Sequence, residues 1–70
     1  LSVKIRIVSL RMISRKNDIS LYKLLRLFKW YKWKYGDNPE YVVWTPEGQA
    51  RPTEKFIDFL KEMGIKIKEY

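Results

Sequence analysis

The residues best equipped for chemistry lie between positions 22 and 34. Tyr22, Lys23, Arg26, Lys29, Trp30, Trp33 and Lys34 interleave three aromatic rings with four cations. Cations neutralise phosphates and release their counterions, while flat rings stack on bases or pack on sugars. The expected chemistry is therefore recognition of a polyanion. The competing use of such residues is a protein contact, because Trp is among the residues most enriched at interfaces.

The usual catalytic residues are missing. The chain has no His and no Cys, so the common general base, the thiol nucleophile and the usual zinc ligands are absent. Ser9, Ser14 and Ser20 have no imidazole to activate them. Gly36, Gly48 and Gly64 stand isolated, so no glycine-rich phosphate loop is present. A nuclease built on paired carboxylates needs acids among the cations, and residues 1–35 supply only Asp18. Asp37, Asn38 and Glu40 offer few oxygens for a hard cation and read as a solvated loop. No enzyme, cofactor or metal is expected.

Charge is distributed unevenly. Residues 1–35 carry ten Lys or Arg against one acid, a charge of +9. Residues 36–70 carry five cations and seven acids, a charge of −2. This is the outline of a protein that meets a polyanion through one side. Lys4 and Arg6 near the start, and Arg15 and Lys16 in a polar stretch, join the seven residues above as candidate nucleic-acid contacts.

Length and composition bound the rest. Seventy residues suffice for one compact domain with a small core. The longest uncharged run, Tyr41 to Pro46, is far too short to span a bilayer, and Lys4 and Arg6 interrupt any leader-like apolar start. A cytoplasmic setting is expected. Gln occurs once and Asn twice, and with abundant Lys, Glu and Ile this fits a thermophile.

The elements that must position these residues can be read from periodicity. Val3, Ile5 and Ile7 alternate with Lys4 and Arg6, which predicts a first strand over residues 3–10. The apolar phase then shifts to Val8, Leu10 and Met12, the mark of a bulge or a strand end. Asn17 or Asp18 is the expected cap of a helix running to Tyr35 and stopped by a left-handed Gly36. Its buried face is expected to be Leu21, Leu24, Leu25, Phe28, Tyr31 and Tyr35. A rival reading makes residues 29–35 a strand that turns into Tyr41–Trp44, and Lys32 on the apolar face favours it.

Tyr41–Trp44 reads as a central strand, and Thr45 to Pro52 as turn and loop. Thr53 is placed to cap a second helix over Glu54–Met63 that buries Phe56, Ile57, Phe59, Leu60 and Met63. Ile65–Lys68 alternates as a last edge strand blunted by Lys66 and Lys68. The expected fold is α/β: strand-helix-strand-helix-strand, a three-stranded sheet packed by two helices.

The expected function is non-catalytic nucleic-acid binding of a chromatin, ribosomal or small regulatory kind, through the basic, Trp-containing first helix. The sequence leaves DNA and RNA undecided. A homodimer or protein-partner module using Trp30 and Trp33 is the alternative from another class. A second surface would arise if Lys4, Arg6, Lys66 and Lys68 flanked Val42 and Trp44 on an open sheet face. A basic helix lying on a membrane is disfavoured, because its apolar face is needed by the fold.

Overall fold

A computed structural model describes residues 4–70. Its order is α1 (Leu10–Asn17), α2 (Leu21–Tyr35), β1 (Val42–Trp44), β2 (Ala50–Pro52) and α3 (Glu54–Glu62). The expected three-stranded sheet with two helices is thus corrected to three helices and a two-stranded antiparallel sheet, in which Val43 pairs with Arg51.

The first correction is at residues 4–17; Val3 lies outside the described residues. Ser9 ends the extended segment, because its hydroxyl accepts the Met12 N–H and caps a helix. Of the two outcomes expected from the apolar shift that begins at Val8, the strand end is found and the bulge is not: the period changes from two to 3.6. Leu10, Ile13, Ser14 and Asn17 turn inward at helical spacing. What remains of the first strand is one bridge between Ile7 and Thr53, with the Val8 N–H donated to the Pro52 carbonyl at 3.0 Å.

The second correction is at residues 65–68, which form no strand. Gly64 leaves α3 in the left-handed region (φ 83°), and the Ile65 N–H closes onto the Leu60 carbonyl. Ile65 and Ile67 do point alternately inward, but they lie on the core without a strand partner. Period-two burial needs only an extended chain over an apolar surface. It does not specify a ladder.

The helix reading of residues 21–35 holds, and the hairpin rival does not. The cap is Ser20, whose hydroxyl accepts the Lys23 N–H, and not Asn17 or Asp18. Lys32 is accommodated by laying its stem along the helix, with Nζ 5.3 Å from the centre of the Phe28 ring. Leu25 is 49% exposed, so the buried stripe is narrower than expected and centres on Leu24, Phe28 and Tyr31. Gly36 is right-handed (φ −61°). Glycine suits it for another reason: a Cβ there would run into the Lys32 carbonyl.

Thr53 caps α3 as expected, accepting the Lys55 N–H at 3.3 Å while its hydroxyl donates to the Glu40 carbonyl at 2.6 Å. The core joins Val8, Ile13, Leu24, Phe28, Tyr31, Val42, Phe56, Ile57 and Leu60. Tyr31 sits at its centre, edge-on to Phe56 at 5.0 Å and to Phe59 at 5.4 Å.

Candidate nucleic-acid interface

One face of α2 is anchored. Leu24, Phe28 and Tyr31 recur at i, i+4 and i+7 and are buried against the core. A half turn away, Tyr22, Arg26, Lys29 and Trp33 follow the i, i+4, i+7, i+11 spacing, flanked by Lys23, Trp30 and Lys34. All seven are exposed. The anchored side leaves the outer side no way to turn in.

The exposure of the rings is large: 73% for Tyr22, 69% for Trp30 and 82% for Trp33. Trp30 and Trp33 meet edge to face, their centres 6.5 Å apart and their planes at 74°. With Tyr22, Arg26 and Lys29 they line an open groove of about 640 Å³. From Tyr22 to Trp33 the face extends roughly 16 Å at 1.5 Å per residue. A contiguous apolar patch framed by cations is the usual form of an interaction surface.

The charged side chains of α1 and α2 are all cations. Helix α1 carries Arg11, Arg15 and Lys16, and α2 carries Lys23, Arg26, Lys29, Lys32 and Lys34, with no acid on either helix. Among the described residues the only ion pair is Arg6 with Glu54, at 4.0 Å, so no carboxylate neutralises these eight cations. The acids gather elsewhere: α3 alone holds Glu54, Asp58 and Glu62.

Arg15 and Lys16 are exposed in the last turn of α1, on the helix that precedes α2. The sequence reading missed Arg11, which is exposed one turn before Arg15. Taking Ser9 as a helix cap would have revealed the i, i+4 pair.

Lys4 and Arg6 do not join this surface. The Arg6 guanidinium faces Glu54 and lies 5.1 Å over the Tyr70 ring. Lys4 lines a depression shared with Glu40, Glu54, Lys55 and Asp58, where the charges are mixed. Both stand beside the acids of α3. The expected basic sheet face is also absent, because Lys66 and Lys68 belong to no strand. Trp44 is half exposed, and its indole N–H is donated to the Gly36 carbonyl at 2.9 Å. It secures the end of α2.

Among the described residues no cluster of acids is arranged to hold a metal ion, and no helix is long and apolar enough to cross a membrane. Asn38 instead organises its own turn, its side chain accepting the Glu40 N–H and its carbonyl accepting the N–H groups of Tyr41 and Val42. Comparison with protein families, curated proteins and solved structures found no match to this chain.

Proposed function

We propose that this chain is a non-catalytic nucleic-acid-binding protein that contacts phosphates through the outer face of α2. One observation carries the reading: three large aromatic side chains and four cations share one exposed helix face, and no acid lies on that helix. The cations supply affinity without sequence preference, and the rings supply contact area against bases or sugars.

The test is a salt titration of binding. A protein that neutralises about five phosphates gives a log–log slope near −4 to −5 on duplex DNA. Replacing Lys23, Arg26 and Lys29 together with Ala should weaken binding on every sequence and shallow that slope by up to about three. The fold should persist, since Ala favours helix and exposed charges contribute little to stability. An unchanged affinity in the folded triple variant would remove this face from consideration. A flat salt response would favour a protein partner or a second copy of the chain.

A further inference from the structure

We propose that α1, the turn after it and α2 form a helix-turn-helix. It would seat the first half of α2 in the major groove of duplex DNA, while the outward cations of α1 hold the phosphate backbone. The proposal rests on the nucleic-acid reading of α2 and adds the class of nucleic acid and the docking geometry.

The turn is the first support. Only Asp18, Ile19 and Ser20 separate the two helices, within the three to four residues that such a motif uses. Asp18 adopts the left-handed conformation (φ 52°), the task often given to glycine at this point. The Asp18 and Ile19 N–H groups both reach the Ser14 carbonyl, and the Ser14 hydroxyl donates to the Ile19 carbonyl. Ile19 packs against the core, and Ser20 starts α2 at once. The turn is pinned by these bonds, and both helices it joins are anchored in the core, α1 by Ile13 and α2 by Leu24 and Phe28.

Charge placement is the second support. In this motif the first helix crosses the backbone and the N-terminal residues of the second meet base edges. Arg11, Arg15 and Lys16 point outward from α1. Tyr22, Lys23 and Arg26 occupy the outer side of the first two turns of α2. Cations on two successive helices suit the two phosphate strands that border a groove; a single strand would ask for one continuous track.

Groove dimensions then select the ligand. The B-DNA major groove, about 12 Å wide, admits an α-helix. The A-form major groove of duplex RNA is deep and narrow and excludes side chains. Arg26 is the one arginine of α2, and its planar guanidinium fork suits the O6 and N7 edge of guanine. Trp30 and Trp33 lie one to two turns farther along, where a straight helix leaves the curving groove, and they pack on sugars.

The full chain is titrated against three short probes of one mixed sequence: duplex DNA, duplex RNA and single-stranded DNA. Duplex DNA is expected to bind at least about tenfold tighter than either other probe at equal salt. Arg11, Arg15 and Lys16 replaced together with Ala should shallow the salt slope on duplex DNA by up to about three, and Arg15→Ala alone by about one. Bound protein should protect guanine N7 from dimethyl sulfate, and Arg26→Ala should lose that protection while keeping most phosphate contacts. Single strands bound as tightly as duplex DNA, absent N7 protection, or a slope untouched by the α1 substitutions would overturn the helix-turn-helix. Each of these leaves the broader nucleic-acid reading in place. No binding to any probe would end both.

Discussion

Tyr31 shows how one buried polar group can report on the fold. Its ring is fully buried, and its hydroxyl donates to the Tyr41 carbonyl at 2.7 Å. Burial disfavours the phenolate and pushes its pKa from 10.0 up to about 12. The unfolded chain therefore releases this proton near pH 10, while the folded chain keeps it until about 12. The stability linked to this group is complete below pH 10 and is lost as the pH rises through 12. Tyr31→Phe should be less stable at neutral pH, having lost the hydrogen bond, yet should decline less steeply over that alkaline window. Urea unfolding of both proteins across the window checks this. Parallel declines would assign the alkaline loss to other groups.

At the scale of the element, α2 divides its work between two sides. Losing a buried aromatic such as Phe28 to Ala costs about 3–5 kcal/mol, enough to unfold a domain of this size. Trp30→Ala and Trp33→Ala remove rings that stand in solvent, so each should leave the melting temperature within a few degrees of the parent. Each should also weaken nucleic-acid binding several-fold. Thermal melting and sedimentation, run beside the binding titration, distinguish the outcomes. A large drop in melting temperature would place the rings in the core. A dimer that dissociates on Trp33→Ala would make this face a contact between copies.

On the scale of the whole molecule, Asn17 ties residues 68 and 69 to the end of α1. Its amide donates to the Ile13 carbonyl at 2.9 Å and to the Glu69 carbonyl at 2.6 Å, and it accepts the Lys68 and Glu69 N–H groups. A second tie lies nearby, where the Tyr70 hydroxyl donates to Glu54 at 3.2 Å and Arg6 covers the Tyr70 ring. Together they hold the last residues against α1 and α3 without a sheet. Asn17→Ala should cost about 1–3 kcal/mol. At roughly 4–8 °C per kcal/mol for a small domain, the shift in melting temperature is easily measured. Hydrogen exchange should show the amides of Lys68 and Glu69 losing protection first. If their protection is unchanged, the tail is held by Ile65, Ile67 and Tyr70 instead.

Local signals were enough to locate α2 and α3, though not the Ser20 cap or the exposure of Leu25 and Met63. Leu24, Phe28 and Tyr31, and Phe56, Ile57 and Leu60, repeat at helical spacing, and Thr53 stands where a cap is needed. The surface of α2 was legible for the same reason, since a helix that buries one face must expose the other. The charge asymmetry is a property of the chain itself. Tertiary contacts decided the rest. Residues 3–10 and 65–68 alternate as strands do, but alternation specifies only which side chains face inward; whether a backbone finds a partner depends on what lies beside it. The segment at Ile7 meets only the end of β2, where Pro52 has no N–H to extend a ladder, and the segment after Gly64 is taken by Asn17. Arg6 looked equivalent to Arg26 in sequence, yet the fold sets it against Glu54 and Tyr70. Whether a cation faces solvent or a carboxylate is settled by residues distant in the chain.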